Sequence, residues 1–595
     1  MQARFLCGPA GSGKTFHCLE EIRASLKAAA EGPPLVFIAP KQSTFQLERQ
    51  LLADRTLNGF SRLQILSFER LAGFVLEKFN VPPPEFLTED GRVMVLRSLL
   101  LRHESQLKLF RGSARRPGFT QEVSRLLAEF QQHQVSATRL RKLGEDTNLR
   151  PELRDKLREL ALLLEWYSSW LEDHKLRDGN CLLDEAAKIL YKNAKNPAVS
   201  IGEFWLDGFA EMTPQEMDLV AALLPFCQRA TLAFCVESAV VKEDTTWLSI
   251  WSGVGNTLQR CRQRIERLGF PIKVQMLTRN GEKSRFGRSN ALRYLEANWE
   301  AGAPGGKFAG GEEGALRIVA CANPEGEAVM AAREIMKFVR LGNRYRDCAV
   351  LVRNPELYHK TLSRTFRRYG IPFFLDRREG VAHHPLAELT RNALRVAAYD
   401  WQPEDWFAAL KTGFCAAPES EIDRMENESL ARGWRGKKWR EPIQIPGEPL
   451  LEQSLERVRQ KIVPPFEKVA LRLAELKFQP TGKELADLIR RLWNDLRVKV
   501  TLDGWNVNET KEGCANLRPA VHATVWDEVS AWLGDVELAF SNEAIPIREW
   551  LPVLEAGLAN LTVGVIPPAL DEVLIGAVDR ARNPELKFSL ILGVN

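Results

Sequence analysis

The 595-residue sequence has no CxxC pair and no close cluster of cysteine with histidine; its ten cysteines are scattered. That scatter argues against a structural zinc site, and a reducing compartment fits it better than a disulfide scaffold. No apolar run reaches about 18 residues, the length a membrane-spanning helix needs, and the N-terminus carries no apolar signal segment. The expectation is a soluble, cytoplasmic chain without membrane contact. Charge of one sign is also missing. Against 82 basic residues stand 77 acidic ones, so the net +5 creates no global field for nucleic acid, and any such contact must come from local patches. The length implies roughly three to five domains.

What the sequence does have is concentrated at its start. Arg4-Phe5-Leu6-Cys7 reads as a buried strand, Gly8-Pro9-Ala10-Gly11-Ser12-Gly13-Lys14-Thr15 follows at once, and a helix begins with Phe16. Strand, glycine loop, Lys-Thr and helix in this order form the P-loop pattern. Gly8, Gly11 and Gly13 let backbone N–H groups turn inward as a nest for phosphate oxygens, and the helix start adds its positive dipole end. Lys14 is expected to reach the β- and γ-phosphates of ATP, and the Thr15 hydroxyl to hold Mg²⁺.

Further along, Leu35–Ala39 and Leu63–Phe68 read as parallel strands, with polar residues at their carboxyl tips, where open α/β sheets present ligands. From about Thr88 to Ala198 long amphipathic helices dominate, for example Val123–Gln132 and Leu153–Leu171. Arg111, Arg115 and Arg116 there fit either a solvated charged face or a DNA-facing patch. Glu203–Asp207 is a strand ending in a carboxylate, the Walker B layout, so Asp207 is expected beside the P-loop on Mg²⁺. Hydrolysing relatives of this layout often place a glutamate next; here the next residue is Gly208. A helix Pro214–Leu224 and a strand Ala230–Phe234 follow. The glycine-rich stretch 301–314 reads as a linker. Beyond it a second α/β unit is expected, with strands Leu316–Ala320, Cys348–Arg353 and Ile371–Asp376 and helices Glu325–Val339 and Tyr358–Tyr369. His383-His384-Pro385 reads as a helix start, not a metal site. Residues 385–567 are again mainly helical, and strands Glu572–Gly576 and Phe588–Leu592 close the sequence. The expected architecture is α/β: two RecA-like P-loop NTPase cores, each interrupted by a mainly helical insertion. The first core is 1–87 with 199–300 and the second 315–384 with 568–595; the insertions are 88–198 and 385–567.

Two such cores, each split by a helical insertion, resemble the plan of superfamily 1 helicases. Ser67-Phe68-Glu69-Arg70-Leu71 resembles the segment that touches single-stranded DNA in those proteins. Closer is the resemblance to the AddB/RexB family, the B component of the bacterial ATP-dependent helicase–nuclease. Pro40–Glu48 and Asp207-Gly208-Phe209 carry it in the first core. Tyr345-Arg346-Asp347 with the run to Arg353, Tyr369–Asp376, His384-Pro385-Leu386 and Gly576–Arg582 carry it in the second. The resemblance implies a heterodimer with an AddA-like subunit that processes double-strand-break ends for recombinational repair. It implies ATP and Mg²⁺ held between the cores by Lys14, Thr15 and Asp207 on one side and Arg353 on the other. Single-stranded DNA and duplex ends are the expected partners, with Gln42, Thr44, Ser67 and Phe68 at the DNA. Gly208, where true helicases carry a catalytic glutamate, implies weak hydrolysis, so no residue is assigned as catalytic. The family's nuclease domain and iron–sulfur cysteines are expected beyond Asn595, so the sequence reads as truncated and without nuclease activity of its own; Glu585-Leu586-Lys587 reads as a surface turn beside a strand. An autonomous helicase and a non-enzymatic helicase-like scaffold are the alternatives.

Overall fold

The structure is a computed structural model that describes residues 2–53, 57, 59–82, 85–194, 200–237, 248–279, 286, 289–298, 314–375, 378–511, 521–564, 571–578 and 586–594. Nearly all of the expected linker, and Asp376 and Asp579 to Glu585, fall outside those residues. In chain order the strands are β1 (Gln2–Gly8), β2 (Leu35–Ile38), β3 (Leu63–Leu66), β4 (Phe86–Leu87), β5 (Arg177–Asp178), β6 (Ile201–Leu206), β7 (Cys227–Cys235), β8 (Ile272–Met276), β9 (Cys348–Val352), β10 (Phe373–Leu375), β11 (Arg378–Gly380), β12 (Thr562–Gly564), β13 (Val573–Ala577) and β14 (Phe588–Leu592). The fold is α/β, mostly helical, and both of its larger sheets are parallel. No helix among the described residues is long and apolar enough to cross a membrane.

The chain divides into two compact units, of which the first comprises Met1–Pro84, Phe130–Gln134 and Asn180–Ala322. Its sheet runs β3-β2-β6-β7-β1-β8. β1 and β2 are near-continuous apolar runs because both faces of the sheet are covered. Ala3, Phe5 and Cys7 point into one core with the helices Phe68–Lys78, Leu182–Lys192, Pro214–Leu223 and Ser252–Arg267. Leu6 points into the other, with the helices Lys14–Ala28 and Thr44–Leu52. Ile38 stands opposite both Leu66 and Leu206, so the tips of β2, β3 and β6 share one carboxyl edge.

The second unit comprises Glu85–Glu129, Val135–Gly179 and Asn323–Asn595. Its four-stranded sheet runs β10-β13-β9-β14. The helices Pro324–Arg340 and Pro355–Arg368 cover one face, burying Ala331, Ile335, Leu362 and Phe366 against Val350, Val352 and Ile575. On the other face Leu351 and Leu574 are half-buried and Ile591 is exposed. The strand expected at Leu316–Ala320 is absent: the stretch pairs with no strand among the described residues, and Ile318 is 94% exposed. An apolar alternation makes a strand only where a sheet edge receives it.

Most of the two helical insertions packs together within the second unit. The helix Glu89–Arg102 of the first lies against Val521–Ala539 and Ile547–Asn560 of the second. The approach is close enough that a Cβ on Gly557 would sit 2.4 Å from Trp532 Nε1 and 2.8 Å from Met94 Cγ. The Asp535 carboxylate accepts a hydrogen bond from the Thr88 hydroxyl, and Asp90 accepts one from Asn560 Nδ2 at 2.7 Å. Inside the first insertion, buried Arg92 pairs with Asp178 at 3.1 Å, and the Tyr167 hydroxyl donates to the same carboxylate at 2.6 Å. The helix Leu182–Lys192, expected in this insertion, lies in the first unit, packed on Phe68–Lys78 and Pro214–Leu223. His384 caps the helix Pro385–Ala398, as its helix-start reading expects.

Burial, with Asp535 close by, pushes the Asp90 carboxyl up to about 6. The folded protein therefore holds this proton more tightly than the unfolded chain, and Asp90 makes stability fall as pH rises from about 4 to about 6. The Asp90→Asn variant, which keeps an oxygen for Asn560, should unfold at higher urea than wild type at about pH 7.5 and show a smaller difference at about pH 4.5. Parallel pH profiles for the two proteins would contradict this placement.

Candidate nucleotide site and strand-tip surface

The loop from Gly8 to Thr15 leaves the carboxyl end of β1, between β7 and β8. A Cβ on Gly8 would lie 2.5 Å from Ser12 Oγ and 2.7 Å from the Leu277 carbonyl, so only glycine lets the loop turn there. Gly11 and Gly13 have φ of 78° and 87°, and Gly13 begins the helix Lys14–Ala28. Lys14 is buried, and its Nζ donates to the carbonyls of Gly8 at 2.8 Å and Pro9 at 2.7 Å. The Ser12 hydroxyl is buried with no hydrogen-bond partner among the described residues. Burial pushes the Cys7 thiol in β1 up to about 11, and Cys18 moves the same way, so neither is a thiolate nucleophile.

Asp207 follows β6 directly and is itself buried. Its carboxylate accepts a hydrogen bond from the Thr15 hydroxyl at 2.5 Å, bringing together residues 192 positions apart. A hydroxyl and a carboxylate side by side at the mouth of a phosphate nest are a donor set for a hard cation. An orphan hydroxyl, and an ammonium held among the described residues by the loop's own carbonyls, suit phosphate oxygens. The residues present therefore fit a nucleoside triphosphate with Mg²⁺. Gly208 has φ of 93°, which a side chain tolerates poorly, so a glutamate cannot replace it without cost. The next acidic residues are Glu211, which is exposed, and Glu216, which is engaged in a capping box with Thr213.

At the tip of β3 the structure differs from the strand reading, and at the tip of β2 it shows how the polar residues are held. Lys41–Ser43 forms a short turn of helix that contains Gln42, and Thr44 opens the next helix with its hydroxyl on the Lys41 carbonyl at 3.0 Å. Beside it Phe45 is 62% exposed. β3 stops at Leu66. Ser67 is the N-cap of the helix Phe68–Lys78, accepting from Arg70 N and donating to Glu69 Oε2 at 2.6 Å. Phe68 is only 3% exposed, its ring 5.0 Å from that of Phe209. Ser67 and Phe68 thus hold the strand tip from beneath, and the open aromatic face belongs to Phe45. Arg353 directly follows β9 in the second unit and is exposed.

Comparison with known proteins bears on these residues. A family model described as "ADDB, N-terminal" matches residues 5–296, which include the P-loop, Asp207 and both strand tips. A protein of Moorella thermoacetica is 32% identical over 616 aligned positions, covering 100% of this chain and 52% of its own length. Proteins of Pelotomaculum thermopropionicum and Desulforudis audaxviator are each 33% identical, again over 100% of this chain and 52% of their own length. All three are named as the B component of an ATP-dependent helicase/deoxyribonuclease. The chain is similar to these AddB-family proteins along its whole length. It spans about half the length of the curated relatives it matches.

The loop has neighbours that the sequence pattern alone did not single out. Arg279 lies just past β8, with its Nε 3.3 Å from the Ala10 carbonyl and ion pairs to Glu237 and Glu296. A Cβ on Gly11 would lie 3.2 Å from Glu296. The signal was there: Ile272-Lys273-Val274-Gln275-Met276 alternates with a period of two, and a strand pairing with β1 must end near the loop. The conformation of Gly208 sets a direct expectation. Gly208→Ala should lower stability by about 1–2 kcal/mol, because an L-residue is forced into the left-handed region. Gly208→Glu should do the same without creating rapid ATP turnover. Thermal unfolding and a steady-state phosphate-release assay check both.

Proposed function

We propose that this chain is the ATP-binding, DNA-gripping part of a helicase–nuclease that processes double-strand-break ends, working beside an AddA-like subunit. The names of its relatives supply the class of complex. The observation that carries the chemistry is the buried Lys14 beside the Thr15–Asp207 pair at the glycine loop. The two sheets are read as the two RecA-like cores of that design.

Lys14 leaves the Gly8 and Pro9 carbonyls to pair with the β- and γ-phosphates, while inward N–H groups of the loop and the start of the Lys14–Ala28 helix hold the remaining phosphate charge. The Thr15 hydroxyl and the Asp207 carboxylate would hold Mg²⁺, which when bound would supply charge neutralisation for the triphosphate. With Gly208 in place of a carboxylate to orient water, this chain holds the nucleotide and turns it over slowly; a missing positioned base costs about 10²–10⁴-fold in rate. ATP should therefore bind in equilibrium dialysis with little release of phosphate, and Lys14→Ala should abolish binding. Rapid DNA-stimulated turnover by this chain would overturn the assignment in favour of an autonomous helicase.

Single-stranded DNA is assigned to the carboxyl edge of β2 and β3. There the Lys41–Thr44 turn offers polar groups for phosphate and sugar, and Phe45 offers a stacking face. Phe45→Ala should weaken binding of an oligothymidylate about tenfold, in line with about 1–3 kcal/mol per stacked base. Phe68→Ala should act through stability instead. Fluorescence anisotropy beside a thermal melt separates the two effects, and unchanged affinity in Phe45→Ala would move the DNA elsewhere.

A further inference from the structure

The helices Pro324–Arg340 and Pro355–Arg368 lie side by side on one face of the second sheet. Their apolar sides go into the core, and the seam between them opens outward into a cavity of about 300 Å³. Val329 and Thr365 floor it; Arg333, Arg364, Arg368 and Tyr369 stand around it, with Glu325 at one end. Arg364 and Arg368 are one helical turn apart, about 5–6 Å, on one wall, and Arg333 faces them from the other helix.

The charge here is not matched from within. Arg364 pairs with Glu325 at 2.9 Å. Arg333 and Arg368 are exposed and make no hydrogen bond or ion pair among the described residues. The basic face continues along both helices, through Lys337 and Arg340 on one and Lys360 and Arg367 on the other, all exposed. Lys337, Arg340, Arg367 and Arg368 fall in last turns, where a cation complements the helix dipole. Arg333 and Arg364 stand before those turns and have no such role. In a chain whose opposite charges nearly cancel, seven basic side chains on one two-helix face form a local patch of the kind that attracts a polyanion.

We propose that this groove binds the phosphodiester backbone of a nucleic acid strand, as a contact distinct from the strand tips of the first unit. Arginine predominates on the face, and its fork matches phosphate oxygens two at a time. The half-buried Tyr369 adds a flat ring beside the phosphates, able to stack a base of any identity. An acidic protein segment fits less well, because such an interface is anchored by buried apolar or aromatic side chains, and Val329 is the apolar member of this lining. Contacts of this kind carry affinity and register but no sequence preference.

The inference rests on the DNA-binding reading above for the class of ligand, and the test separates the two. Hydrogen exchange of the whole chain is followed with and without a 20-nucleotide oligothymidylate, reading peptides over 324–340 and 355–369 apart from those over 40–47. Protection of the two helices supports the groove whether or not 40–47 is protected. Protection of 40–47 alone overturns the groove and leaves the strand-tip reading standing; protection of neither overturns both. In anisotropy titrations, Arg333→Gln/Arg364→Gln/Arg368→Gln should reduce the slope of log affinity against log salt by about 2, the loss of three single-strand phosphate contacts. Glu325→Gln, which frees Arg364, should raise affinity a few-fold. These exposed residues leave the core intact, so a normal melting curve with an unchanged salt slope in the triple variant would overturn the proposal. An oligouridylate run in parallel shows whether the groove distinguishes RNA from DNA.

Discussion

One hydrogen bond ties the first unit to its chemistry: the Thr15 hydroxyl donating to Asp207. It can form only because β1 and β6 belong to one parallel sheet and end at the same edge, with β7 between them. Parallel order in turn requires crossover helices, and these bury both sheet faces and account for the unbroken apolar runs in β1 and β2. The glycine loop is the complement of that constraint. It must turn within a space closed by Ser12 and Leu277, so Gly8, Gly11 and Gly13 are demanded by geometry before any ligand is considered.

The local signals of this site were legible because each is short-range. A buried strand, a glycine loop, a Lys-Thr pair and a helix follow one another without interruption, and Asp207 ends its strand as a lone carboxylate after an apolar run. What the sequence could not show depends on distant partners. Leu316–Ala320 alternates like a strand, yet it has no described edge to join. Phe68 reads as an aromatic at a strand tip, whereas Ser67 caps a helix there and turns the ring under Phe209. The union of the two helical insertions rests on contacts such as Gly557 with Met94 and Thr88 with Asp535, separated by more than 400 positions, which no periodicity encodes.

The distribution of acids and bases suits a chain that grips nucleotide and polyanion more than one that hydrolyses. Asp207 is present, but the position after it is a left-handed glycine, and the half-buried Glu216 is occupied in capping its own helix. The concentrated positive charge belongs to a two-helix face of the second sheet. Near the loop, Arg279 is shared between Glu237 and Glu296, so that its charge is largely neutralised within the fold.

The central claim is that Thr15 and Asp207 part to hold a divalent cation together with a nucleotide. Electron paramagnetic resonance of Mn²⁺, standing in for Mg²⁺, measures this directly. The account predicts a protein-bound Mn²⁺ signal that requires ATP and disappears when Thr15→Val is combined with Asp207→Asn. A bound signal of the same strength in that double variant, or one formed equally well without ATP, would contradict it.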